Sequence, residues 1–150
     1  MRAIDRYNLW LKNVKDAVLL TELSAMDKGQ IENAFYRDLV FGTAGLRGEI
    51  GVGTNCLNIY TVARVTKGIA LNMRANGHMS AAISYDSRIN SNLFARVTAS
   101  VFAQNGIRVI LTRELMPVPF LSFLLASINN TSVLFRFFLN TRILAGIFVP

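Results

Sequence analysis

The 150-residue sequence holds one cysteine, Cys56, one histidine, His78, and three prolines, Pro117, Pro119 and Pro150. A lone cysteine excludes an intrachain disulfide framework, and no C-x-x-C pair exists to hold zinc. A Ser-His-Asp or Cys-His arrangement would have only His78 to draw on, beside Gly77 in a predicted turn and read as solvated. Nothing near Cys56 argues for a lowered thiol pKa. Acids are scarce as well: of nine, only Glu49, Asp86 and Glu114 follow residue 40, and their spacing suggests no carboxylate cluster for magnesium. No metal site can be argued from this chain. Few prolines and ten glycines exclude a collagen-like chain, and 52% hydrophobic against 17% charged residues excludes wholesale disorder. There is no internal repeat and no low-complexity segment. The length suits one domain, and the cysteine usage reads as cytoplasmic.

Long hydrophobic runs are missing too. Charges at Asp5, Lys12 and Lys15 break the N-terminus before any run of signal-peptide length. Leu115–Phe135 is uncharged, but Pro117, Pro119 and the stretch Asn129–Ser132 cut it. What remains, Val118–Ile128, is shorter than the roughly 20 residues a spanning helix needs. It reads as a buried helix opened by Pro117-Val118-Pro119, with no membrane span. Val133–Phe138 would be adhesive if left uncovered.

What is present is a lopsided positive charge. The net charge is +7, yet the first 40 residues balance six bases with six acids. The surplus lies beyond residue 40, where nine of ten bases are arginine. Arginine's planar fork suits phosphate oxygens. These arginines stand singly rather than in runs, so nucleic acid is not the expected partner.

Periodicity organises the chain. Tyr7, Trp10, Leu11, Val14 and Val18 recur at helical spacing and predict one amphipathic helix over residues 4–20. Ile31, Phe35 and Leu39 predict a second. Between Phe41 and Asn58 glycines crowd the sequence and predict a loop with one short strand. A helix over 59–75 stops at Asn76-Gly77, a strand covers Ala81–Tyr85, and Ser91 is read as the cap of a helix over 91–105. Its expected buried face is Phe94, Val97 and Val101, and Asn105-Gly106 ends it before a strand at Ile107–Leu111. Strand, helix and strand at this spacing predict a βαβ unit and a parallel sheet.

Two constellations could carry chemistry. The first is Phe41-Gly42-Thr43-Ala44-Gly45-Leu46-Arg47-Gly48. Glycines let a backbone approach an anion closely, Thr43 adds a hydroxyl and Arg47 a charged fork. It is neither a P-loop nor a dinucleotide fingerprint. A tight structural turn with a solvated arginine explains the same residues, and both readings stand. The second is Asp86-Ser87-Arg88, just past the carboxyl end of a predicted parallel strand, where open α/β sheets bind ligands. A surface turn with a local Asp–Arg pair is the alternative.

With these motifs in hand, the chain resembles the first domain of the α-D-phosphohexomutase family, in the bacterial phosphoglucomutase branch that also resembles phosphopentomutases. The likeness runs from about Trp10 to Ala126. It takes in Ile31–Leu39, the Phe41–Gly48 loop, Gly51–Asn55, Asn58–Val62, Tyr85–Arg88 and Glu114–Pro119 before Leu121-Ser122-Phe123. The resemblance implies a three-layer α/β/α domain with a mixed, mainly parallel sheet, incomplete at the C-terminus. It also implies interconversion of sugar 1- and 6-phosphates through a bisphosphorylated intermediate and a phosphoserine. Magnesium and a sugar bisphosphate activator belong to the full-length family, and neither is expected to be held by this chain alone. Thr43 and Arg47 match the loop lining the active site, and Asp86 and Arg88 a motif near the cleft with no catalytic role carried over.

Departures are as informative. Val118 stands where relatives commonly have threonine, and Ser127–Leu144 matches nothing familiar in the family. Ala145–Val149 resembles the strand leading to the phosphoserine, but Pro150 follows it rather than Thr-Ala-Ser-His-Asn-Pro. Thr98-Ala99-Ser100 is no substitute, being on a predicted helix without His-Asn-Pro. The expected organisation is a helical segment (1–40), a partial first domain (41–126) and a divergent apolar tail (127–150). The expected function is that of a phosphoglucomutase/phosphomannomutase-type fragment, inactive alone and without a catalytic residue of its own. It would bind sugar phosphate weakly if at all, and self-associate through exposed apolar surface. The alternatives are a non-catalytic anion-binding or interaction module, and a small membrane-associated protein using its apolar C-terminus.

Overall fold

The computed structural model describes residues 1–42, 45–46, 48–85, 87, 89–114, 133–137 and 146–148. Three helices open the chain: α1 (Ala3–Asn13), α2 (Ala17–Ser24) and α3 (Lys28–Phe35). The single helix expected over 4–20 is thus two. The apolar period continues through the break, but Val14 takes extended backbone and Asp16 caps a new helix by accepting the Leu19 N–H at 3.0 Å. Val18, expected on the buried face, is consequently 76% exposed. In α3, Asp27 and Gln30 form a reciprocal capping box. The helix ends at Phe35, so Leu39 reaches the core from the segment beyond it. Around Phe35 the rings of Tyr7 and Trp10 pack edge-on, and Trp10 meets Tyr60 in the same way. These rings, with Leu23, Ala34 and Val52, make one apolar cluster.

A minimal hairpin follows, β1 (Phe41–Gly42) against β2 (Gly45–Leu46), where one short strand is expected. Then come α4 (Ile59–Ala75), β3 (Ser80–Tyr85), α5 (Ser91–Gln104), β4 (Arg108–Leu111), β5 (Val133–Phe137) and β6 (Gly146–Phe148). The sheet order is β4-β3-β5-β6, with β3 parallel to both neighbours and β6 antiparallel to β5. This mixed, mainly parallel sheet carries the predicted βαβ unit. Ala81, Ile83 and Tyr85 face α4 and α5 in a second apolar cluster with Leu39, Leu46, Leu57, Phe94 and Phe102. Ser80, Ala82 and Ser84 alternate to the opposite face and are buried there too. Both faces of β3 are therefore covered. The helix expected from Pro117 onward lies outside the described residues.

Helices α4 and α5 end alike. Beyond Met73 and Phe102, Asn76-Gly77 and Asn105-Gly106 close Schellman turns, with φ of +77° and +74° at the glycines. The N–H groups of His78 and Ile107 donate to the carbonyls of Met73 and Phe102 at 2.8 and 3.0 Å. At the start of α5 the cap position belongs to Asn90, in left-handed backbone with φ of 62°, and Ser91 is the first helical residue rather than the cap. The buried face of α5 centres on Phe94, Ala95, Thr98 and Phe102; Val97 and Val101 are half-buried beside it. Thr98 meets Thr66 of α4 hydroxyl to hydroxyl at 3.3 Å.

One residue of α4 has no steric reason to be glycine. A Cβ on exposed Gly68 would meet nothing within 4 Å. Gly68→Ala is expected to stabilise the chain by about 0.5–1 kcal/mol, by restricting the unfolded backbone. Urea denaturation checks this, and a loss of stability would show that α4 needs glycine there.

Candidate functional site

The glycine-rich segment is organised by what lies on either side of it. Leu39 enters buried, and its N–H donates to the Thr54 carbonyl at 2.7 Å. The hairpin pairs Phe41 with Leu46 and Gly42 with Gly45. Leu46 is buried in the sheet's cluster, and β2 runs close to β6. On the way out, Gly48 lies so close to Leu39 that a Cβ there would collide with the leucine Cδ1. Next, the Glu49 carbonyl accepts the Leu57 N–H at 2.7 Å, and the Gly51 N–H donates to the Leu57 carbonyl at 3.3 Å. Both ends of the segment are thus tied to residues 54–57.

One buried amide ties the turn from Gly51 to Cys56 to the start of α4. Asn58, 4% exposed, caps α4 by accepting the N–H groups of Tyr60 and Thr61 at 3.1 and 3.0 Å. Its Nδ2 donates backwards to the carbonyls of Gly51, Gly53 and Cys56, at 2.9, 3.0 and 3.3 Å. Thr61 completes the box: its hydroxyl accepts the Asn58 N–H and donates to the Cys56 carbonyl. The loop also grips α3, because the Asn55 N–H donates to the Ala34 carbonyl at 2.9 Å and the Thr54 hydroxyl to the Arg37 carbonyl at 2.7 Å. Arg6, from α1, reaches the Phe35 carbonyl, the Asp38 carboxylate and the Thr54 hydroxyl, each at 3.5 Å.

The four predicted site residues, Thr43, Arg47, Asp86 and Arg88, lie outside the described residues. Their neighbours do not. Leu46 and Tyr85, which directly precede Arg47 and Asp86 in sequence, belong to the same buried cluster. The Tyr85 hydroxyl donates to the Arg113 carbonyl at 2.9 Å, pinning the carboxyl end of β3 to the segment after β4. Close by, the buried hydroxyls of Ser84 and Thr112 have no hydrogen-bond partner among the described residues. The sequence places Leu39 on a helix, Gly48 in the glycine-rich motif and Asn58 in the family likeness, but shows neither their contacts here nor these two hydroxyls. Only Asn58 carried a usable signal, an asparagine three residues before a threonine at a helix start.

Cys56 lines a surface cleft of about 610 Å³ with Glu22, Arg37 and Glu49. Burial, then the nearby Glu49 and Glu22 carboxylates, push its thiol up to about 11. Alkylation by iodoacetamide at pH 8 is expected to be slow and to accelerate up to about pH 11. Because the folded pKa lies above the ordinary thiol value, this group's contribution to stability is lost as pH rises through about 11. Fast thiolate-like reaction at pH 7 would contradict the burial. No three His, Cys, Asp or Glu side chains stand together as a metal-binding group among the described residues. No described helix is long and apolar enough to cross a membrane.

Residues 38–136 match the family profile described as phosphoglucomutase/phosphomannomutase, alpha/beta/alpha domain I. The chain belongs to this family. The match begins at Asp38, just before the glycine-rich hairpin, takes in the whole βαβ unit and runs to Arg136 in β5. Among curated proteins, the phosphoglucomutase of Staphylococcus saprophyticus is 34% identical over 116 residues, covering 77% of this chain and 21% of that protein. The phosphoglucomutase of Staphylococcus aureus strain MRSA252 is 33% identical over 126 residues, covering 83% of this chain and 23% of that protein. The Staphylococcus haemolyticus phosphoglucomutase is 34% identical over 115 residues. The chain spans about a fifth of the length of these relatives. No solved structure is a significant match. Membership of the phosphoglucomutase/phosphomannomutase family agrees with the mixed, mainly parallel sheet and with its strand β3, buried on both faces, as the α/β/α arrangement expected from the sequence requires.

Proposed function

We propose that this chain provides the phosphate-gripping first-domain loop of a phosphoglucomutase-type reaction, the transfer of a phosphoryl group between the 1- and 6-positions of a hexose. The single observation carrying this reading is the family match over residues 38–136, which spans both candidate motifs. In this role Arg47 pairs with phosphate oxygens, Thr43 adds a hydroxyl contact, and Asp86 and Arg88 line the cleft. Phosphoryl transfer depends chiefly on positioning and on opposing the charge of the moving group. A loop held at both ends provides positioning; an arginine within it provides charge.

The chain alone would bind without turning over. No Ser-His-Asn-Pro occurs in its 150 residues, so the nucleophile that would carry the phosphoryl group is not among them. In the complete reaction magnesium and a sugar bisphosphate come from outside this chain. The setting proposed is cytoplasmic. Titration calorimetry with glucose 1-phosphate tests the loop: Arg47→Ala is expected to weaken binding by about 1–3 kcal/mol, the cost of a charged hydrogen bond. An assay coupled to glucose 6-phosphate oxidation, with magnesium and bisphosphate added, tests the rest. Binding that is insensitive to Arg47→Ala would overturn the loop assignment, and turnover surviving repurification would overturn the inactivity.

A further inference from the structure

We propose that Gly48 and Leu39 form a neck that fixes the mouth of the glycine-rich loop, making Gly48 a positioning residue; its bearing on anions rests on the reading of that loop as a phosphate site. The two residues are the points where the chain enters and leaves the segment. They meet face to face: a Cβ on Gly48 would overlap the Leu39 Cδ1 and lie 3.2 Å from its Cδ2, with the Asn55 carbonyl oxygen 3.3 Å away. Leu39 packs on one side against the cluster that holds Leu46 and Leu57 and on the other lines the surface cleft with Gly48, so its terminal methyl groups can yield only toward that cleft, at the cost of their packing. Its backbone is held as well, by the 2.7 Å bond from its N–H to Thr54. Just past Gly48, the Glu49 carbonyl is fixed by the Leu57 N–H.

An added methyl group at position 48 therefore displaces the Leu39 side chain from this packing and loosens the hold between the two arms. The segment's ends cannot separate without moving the hairpin between them, because Leu46 is anchored in the same core. A site for phosphate requires its donors already in place, and a widened neck costs that preorganisation.

Hydrogen exchange read by mass spectrometry tests the neck directly, without a ligand. In Gly48→Ala, exchange over residues 39–46 should rise about tenfold while α5 keeps its wild-type protection, showing a local opening in a folded chain. Leu39→Val, which withdraws the two terminal methyl groups, should restore slow exchange when combined with Gly48→Ala. Leu39→Phe crowds the neck from the other side and should reproduce the opening. Unchanged exchange in Gly48→Ala and Leu39→Phe, or no restoration in the double variant, would overturn the proposal. Titration with inorganic phosphate separates the neck from the anion reading. A loss of about fivefold or more in affinity in Gly48→Ala, recovered with Leu39→Val, supports both. The exchange pattern without phosphate binding by the wild-type chain would leave the neck standing and remove the anion site.

Discussion

Replacing Asn58 by aspartate, one of the smallest changes available at that position, is expected to destabilise the chain by about 3–4 kcal/mol, beyond the range of most single substitutions. The two side chains have the same shape and both can cap α4. The difference lies on the other side of the amide. There Nδ2 donates to the carbonyls of Gly51, Gly53 and Cys56, and aspartate would set an oxygen against the same three oxygens. Asn58 is 4% exposed, so water cannot replace the lost donors. The Cys56 carbonyl keeps the Thr61 hydroxyl, but those of Gly51 and Gly53 lose their Asn58 donor at about 1 kcal/mol or more each, and a buried charge facing all three adds to that. Urea denaturation followed by circular dichroism measures the change. A loss below about 1 kcal/mol would mean that the capping bonds alone hold this junction.

Gly53→Ala is the second large effect, about 2–4 kcal/mol in the same direction. The backbone at Gly53 has φ of +131°, a conformation L side chains rarely adopt. A Cβ there would also lie 2.5 Å from the Ala34 carbonyl oxygen and 2.7 Å from the Ala34 Cβ. That oxygen is the acceptor for the Asn55 N–H, so relieving the contact means breaking the bond that joins the loop to α3. Denaturation beside Gly68→Ala makes the comparison sharp. One Gly→Ala change strains a loop against a helix while the other fills empty space, so the two should have opposite signs. Equal effects would argue against the steric account.

How much of this was legible depends on the range of the forces involved. Helices α4 and α5 and strands β3 and β4 follow from apolar spacing and from Asn-Gly stops, which act over a few residues. The break between α1 and α2 did not show, because the apolar period runs on across it. Only the backbone at Val14 and the cap at Asp16 mark it. Leu39 shares the period of α3 yet lies beyond its end, since the core fixes where a side chain goes and not which element carries it. The glycine-rich motif was readable as a motif. The contact that makes Gly48 tight was not, because Leu39 is brought to it by folding. Asn58 illustrates the same limit: its cap is local and inferable, while its grip on three loop carbonyls belongs to the tertiary structure. For Thr43, Arg47, Asp86 and Arg88 the sequence remains the source, and the structure adds the anchors beside them, Leu46 and Tyr85.

The strand order also bears on the sequence of events in folding. Helix α4, β3, α5 and β4 are consecutive from residue 59 to 111, so their pairings close only short stretches of chain. Strand β5 lies on the other side of β3 and must return across everything from residue 86 to 132 before it can pair. Loop closure is an entropic cost that precedes the reward of contact, so this pairing comes late. Until then β3 exposes an open edge in the middle of the future sheet. A β3 edge left open is a template for another chain's strand, and the Val133–Phe137 segment, apolar but for Arg136, is the kind of sequence that would find it.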